Sequence, residues 1–293
     1  MKKNNVINNK SIPFFLLAAI HSLLLLLLLK RHKQRNVWFL FLTNTGFAYL
    51  FEYIILNLFR GYKYKPSIFK NRHVDAVFGA IFSQALYVPI SATFLTLCKM
   101  KWYWKVIISI FYYVIEKFFI WLRVYKVNWW KPVYTFVLLN VYFYISDRFY
   151  LAFSKNRKWA LAITHYLSIE VIYVSFLYAS AIRRKVRFGR GNYHSWKEHF
   201  IIVPLYSLFI SFIAMRNSGK PGLIKRISLI VYQLLIDFTL AHWGFLKLNT
   251  KYLLGALPVH IVMTFLSRFI YIKVYRKQGD GSAVSNVTND FSK

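Results

Sequence analysis

Nine stretches of this chain are apolar, and short segments rich in Lys, Arg, Trp and Tyr separate them. They run over approximately 11–29, 37–59, 76–98, 106–122, 133–153, 159–182, 200–215, 227–246 and 252–272. A bilayer core is about 30 Å thick, and a helix crosses it in roughly 20 apolar residues at about 1.5 Å each. The pattern predicts an all-α polytopic transmembrane helix bundle of about nine spans. The stretch 200–215 is short for a crossing and needs a turn from its flanks. Trp38, Trp102, Trp104, Trp129, Trp130, Trp159 and Trp196 sit at stretch edges, where an aromatic belt would place them. Pro89 and Pro258 lie inside stretches and predict kinks.

The first stretch ends in an unbroken run, Leu23 to Leu29. Lys2, Lys3 and Lys10 precede it, and Lys30-Arg31-His32-Lys33-Gln34-Arg35 follows where a small-residue cleavage site would stand. Residues 1–35 therefore read as an uncleaved signal-anchor helix with its basic loop. The polar segment 278–293 reads as a disordered tail.

Composition fits this picture. Hydrophobic residues make up 57% of the 293, more than a soluble domain of this size uses. The net charge of +31 comes from 40 Lys and Arg against 9 Asp and Glu. Those cations are spread over nearly every loop instead of forming one basic face. The expected partner is a bilayer containing anionic lipids, at about 1 kcal/mol per residue near the surface, and not a nucleic acid. With nine spans, the loops and tail on the N-terminal side hold 19 Lys and Arg and the other side holds 18, so charge bias sets no orientation. The single cysteine, Cys98, excludes an internal disulfide or a thiolate metal cluster within one chain.

Rare polar residues recur at matched spacing. Lys126 follows Glu116 by the same interval as Lys247 follows Asp237, and Asn128 and Asn249 repeat the match two residues on. Arg148-Phe149 and Arg268-Phe269 correspond with a one-residue slip, Val88-Pro89 corresponds to Val203-Pro204, and Glu52 to Glu170. These matches predict two parallel four-helix repeats, 36–155 and 156–277, behind the anchor helix and related by an axis along the membrane normal.

Glu52, Glu116, Glu170 and Asp237 interrupt apolar stretches. A charge at mid-helix in lipid costs at least roughly 2.5–3.5 kcal/mol, so such groups tend to face partners or wet cavities. The acids lie about 15, 10, 11 and 10 positions into stretches that run the same way, close to a common depth. The expectation is that they line a shared interior. A blander account pairs them with Arg148 and Arg268, or lets each hold a proton. His165 precedes Glu170 by five residues and His242 follows Asp237 by five, a rotation of about 140° that separates the members of each pair. His21 and His260 are the other histidines within stretches. Proton relay or a satisfied structural role is open to all four.

No Gly-x-Ser-x-Gly elbow, His-Glu-x-x-His helix, aspartate-rich pair or glycine-rich phosphate loop occurs. No catalytic residue, cofactor or metal site is expected.

The run Tyr113-Val-Ile-Glu116-Lys-Phe-Phe-Ile-Trp-Leu-Arg-Val-Tyr125-Lys-Val-Asn-Trp129-Trp130-Lys131-Pro132-Val-Tyr134-Thr-Phe resembles a signature of uncharacterised multi-pass membrane proteins of spore-forming Firmicutes. In that group an acid late in one helix is followed by Tyr, Trp-Trp-Lys and a Tyr-Thr opening the next. About forty residues carry the likeness. It implies a bacterial cell membrane and no catalytic residue. The leading functional expectation is a proton- or cation-linked transporter or permease moving a small ion or solute. The alternatives are a non-catalytic scaffold or sensor component and, third, a lipid-acting membrane enzyme.

Overall fold

A computed structural model describes residues 6–183, 186–190, 194–219, 222–247 and 250–275. The predicted tail 278–293 and Asn249 lie outside the described residues. Nine helices account for most of the described residues: α1 (Ile12–Arg31), α2 (Gln34–Leu58), α3 (Arg72–Leu97), α4 (Trp102–Trp121), α5 (Pro132–Ser154), α6 (Lys158–Ile182), α7 (Trp196–Ser218), α8 (Leu223–His242) and α9 (Thr250–Tyr275). Six of them, α1, α2, α3, α6, α7 and the 257–275 part of α9, are long and apolar enough to cross a membrane. That is compatible with an integral membrane protein, but it is fewer than the nine spans expected. Tyrosine, tryptophan and charged side chains hold α4, α5 and α8 below that mark, as in Trp102-Tyr103-Trp104-Lys105 at the start of α4. These three helices still turn apolar side chains outward, among them Ile107, Val114, Val137, Val141, Ile227 and Leu235.

Local chemistry sets the helix ends. Asn71 caps α3 by accepting from the amides of His73 and Val74. Ser195 and Glu198 form a reciprocal capping box that starts α7 at Trp196, which supplies the turn that 200–215 lacked. Helices α3, α4, α5 and α8 stop at a left-handed residue, respectively Lys99, Arg123, Asn156 and Gly244. The amide after each reaches back to a carbonyl in the last turn, for example Met100 N to Leu95 O at 2.9 Å and Val124 N to Phe119 O at 3.1 Å.

Among the described residues the connections hold four short strands that an all-α reading does not foresee: β1 (Tyr62–Tyr64), β2 (Tyr125–Val127), β3 (Arg187–Phe188) and β4 (Leu246–Lys247). β1 pairs antiparallel with β2, and β3 with β4. The strands turn aromatic or aliphatic residues inward; Lys63 stands opposite Lys126, and Arg187, whose guanidinium lies over the Trp196 ring, stands opposite Lys247.

Helices α2 and α6 pack along each other. The crossing is tight at Gly46, where a Cβ would lie 2.8 Å from Leu167 Cβ. Gly46→Val is expected to destabilise the protein by about 1–3 kcal/mol through overpacking, and Leu167→Ala in the same chain should relieve part of that. Unfolding in detergent measures both. A neutral Gly46→Val would mean that the two helices are free to separate there.

Candidate functional site

Two cavities border three of the four predicted acids. The larger, about 390 Å³, lies inside the α2–α5 set. Its wall includes Glu116 from α4, Gln84 from α3, and Tyr62, Tyr64, Tyr125 and Trp130 from the β1–β2 region. The smaller, about 110 Å³, lies where α2 and α3 meet α6 and α7. Glu52, Glu170, His199 and Gln84 border it, so Gln84 touches both spaces.

The backbone explains how Gln84 reaches that point. Helix α3 widens into π-helical turns over Phe82–Tyr87, immediately before Pro89, and α2 does so over Tyr53–Leu58, immediately after Glu52. Pro89 has no N–H to give and its ring crowds the carbonyl four residues back. A widened turn relieves the crowding and re-aims the side chains upstream. Gln84 Nε2 then donates to Glu52 Oε2 at 2.9 Å, and the Tyr62 hydroxyl donates to the same oxygen at 2.5 Å.

Each of the three acids keeps one oxygen without a partner. Glu52 Oε1, Glu116 Oε1 and Glu170 Oε2 are buried and accept no hydrogen bond among the described residues. Ser207 Oγ satisfies Glu170 Oε1 at 2.5 Å. Thr135 lies beside Glu116 and accepts from Trp130 Nε1 at 2.9 Å. His199 completes the small cavity. The Phe188 amide donates to its Nδ1 at 3.1 Å, which places the ring proton on Nε2, and that nitrogen also has no partner.

Asp237 sits apart from both cavities. Tyr206 donates its hydroxyl to Oδ1 at 2.5 Å and His260 Nε2 donates to Oδ2 at 2.9 Å. Tyr173 closes the group, its hydroxyl 3.3 Å from that of Tyr206 and 3.4 Å from His260 Nδ1. The four acids therefore do not line one interior. Tyr173, Tyr206 and His260 fill the space beside Asp237, whereas open volume remains beside Glu116.

The arginines do not meet the acids. Arg148 is exposed and donates to the Tyr144 hydroxyl on its own helix. Arg268 donates to the carbonyls of Ser218 and Gly219 and so caps the end of α7. Among the described residues the acid–base contacts are His260–Asp237 and Lys105–Asp147. His165 hydrogen-bonds Ser218 Oγ at 3.1 Å and packs on Tyr271 and Tyr275, while His242 is exposed at the end of α8. His21 lies 3.0 Å from the Tyr112 hydroxyl. Among the described residues, no three His, Cys, Asp or Glu side chains gather as metal ligands.

Partners the sequence did not single out are Tyr62, Gln84, Tyr206, Ser207, His199 and Asp147. A faint signal existed for two of them. Gln84 and His199 stand at the same distance before the matched Val88-Pro89 and Val203-Pro204. Comparison with protein-family models, with curated proteins and with solved structures found no match.

Proposed function

We propose that this chain is a multi-pass integral membrane protein of the bacterial cell membrane, a proton- or cation-linked transporter built from two fused four-helix repeats. The carrying observation is the small cavity between α2–α3 and α6–α7: Glu52, Glu170 and His199 all border it, and each has a buried polar atom without a partner among the described residues. A buried carboxylate with no cation nearby is costly until it takes up a proton or a cation. Secondary transporters place coupling groups at such a repeat interface, near the midplane.

Three features favour the duplication. The order helix, strand, helix, helix, strand, helix occurs twice, over α2–α5 and over α6–α9. Strands pair within each set. Arg123 follows Glu116, and Gly244 follows Asp237, by the same interval, and both are left-handed helix stops. The likeness to membrane proteins of spore-forming Firmicutes supports the bacterial setting.

The β1–β2 pair supplies a lipid contact. There Lys63 faces Lys126, an arrangement that disfavours pairing unless anions sit between. Desolvation, and then Arg72, Lys65, Lys126 and Arg60, hold the Lys63 ammonium below its ordinary pKa. Anionic headgroups at this level would relieve the repulsion.

The test is purified protein in liposomes carrying an internal pH dye. An imposed pH or cation gradient is expected to drive flux above that of empty vesicles. A folded, correctly inserted protein that passes no protons, alkali cations or organic cations would overturn the transport reading and favour the scaffold.

A further inference from the structure

The large cavity inside α2–α5 has the chemistry of a binding site. Tyr62, Tyr64, Tyr125 and Trp130 form a continuous aromatic wall, with ring centroids 5.7 Å apart for Tyr62–Tyr64, 5.0 Å for Tyr64–Tyr125, 5.2 Å for Tyr62–Tyr125 and 5.4 Å for Tyr62–Trp130. All four are buried. Aromatic faces carry partial negative charge and attract cations. Glu116 adds a formal charge site on the same space, with Oε1 buried and unpartnered. No Lys or Arg borders the cavity. An anion would meet these electron-rich rings and a carboxylate, with no cation to pair with among the residues that border the cavity. A hard, strongly hydrated cation would lose its water to walls that are mostly carbon.

The cavity also reaches the outside. Leu138, Val141 and Ile145 on α5 border it and are 39%, 48% and 44% exposed on the apolar outer face of that helix. Its exposed lining on α5 is aliphatic, and its buried lining includes the rings and the carboxylate. A volume of about 390 Å³ suits a molecule of drug-like size, since ligand pockets run from about 300 to 1,000 Å³.

We infer that this cavity binds amphiphilic organic cations, an ammonium or phosphonium centre held by Glu116 and the aromatic wall with an apolar body toward the α5 mouth. The inference deepens the transport reading by naming the class of its substrate, and it rests on that reading only for the movement of the ligand, not for its binding. In the second set of helices His260 and Tyr206 already occupy both oxygens of Asp237, so that acid is not offered to a ligand in the same way.

Calorimetric titration of the whole protein in a non-ionic detergent tests it. The probe is tetraphenylphosphonium, and the control is tetraphenylborate, which has the same shape and the opposite charge. Saturable binding of the phosphonium alone is expected. Glu116→Gln should weaken it about 10- to 100-fold, the scale of losing one buried charge contact. Val141→Trp, on the outer face, fills the mouth without touching the buried carboxylate and should weaken binding comparably in a protein with unchanged melting. Should Glu116→Gln fail to fold, Val141→Trp decides. Equal binding of both ions, or phosphonium binding that neither folded variant alters, would overturn the inference. Binding in detergent without phosphonium movement in vesicles keeps this site and removes the transport reading. Gradient-driven flux with no phosphonium binding does the reverse.

Discussion

Removing the His260 ring is expected to cost the fold about 3–5 kcal/mol, the range for taking one partner out of a buried acid–base contact. His260 and Asp237 are both almost fully buried, and His260 supplies the bond to Oδ2. In His260→Ala that oxygen loses its donor and a ring-sized hole opens beside Tyr173. Desolvation of an unmatched carboxylate oxygen and the empty volume both act against folding. Adding Asp237→Asn should recover a large share, because an amide can be buried more cheaply than a carboxylate and still accepts from Tyr206. The check is a double-mutant cycle by reversible unfolding in detergent. A His260→Ala protein within about 1 kcal/mol of the wild type would mean that the Asp237–Tyr206 bond alone carries this contact.

The acids were legible in the sequence because a carboxylate inside an apolar run stands out against everything around it. Their partners were not, because tyrosine and serine are ordinary residues here. With 22 tyrosines in the chain, nothing marked Tyr62 or Tyr206 as the one that reaches Glu52 or Asp237. His199 lay in what read as a flank, until the capping box at Ser195 drew it into α7. Asp147 is masked by Arg148 beside it, yet it reaches across to Lys105 on α4 and to Thr96 on α3. Matched spacing predicts a common height for the acids and says nothing of their direction. Height follows from counting residues along a helix, whereas direction depends on how helices rotate against one another. Here the π-helical turns after Glu52 and around Gln84 change that rotation locally. The strands were hidden for a related reason. Tyr62-Lys63-Tyr64 alternates apolar and cationic side chains, but three residues are too few for a period to be read.

Glu52→Gln and Glu170→Gln are each expected to bring gradient-driven flux down to that of empty vesicles while the protein stays folded. The replacement keeps size and much of the hydrogen bonding: a glutamine carbonyl at 52 can still accept from Tyr62, and one at 170 from Ser207. What it removes is the ability to take up and release a proton or pair with a cation. If Glu52 and Glu170 exchange charge through the cavity they share with His199, blocking either end stops the cycle. His199→Phe should act in the same direction, because it takes the imidazole and its unpartnered Nε2 out of a residue that borders the cavity. Asp237→Asn separates the models. Both of its oxygens are taken by Tyr206 and His260, away from this cavity, so a folded Asp237→Asn protein should still transport. The measurement is the initial rate of dye response in matched vesicles, with melting temperature and insertion checked for every variant. Unchanged rates in folded Glu52→Gln and Glu170→Gln would leave the unpartnered oxygens as groups served by trapped water, and the coupling role would go with them.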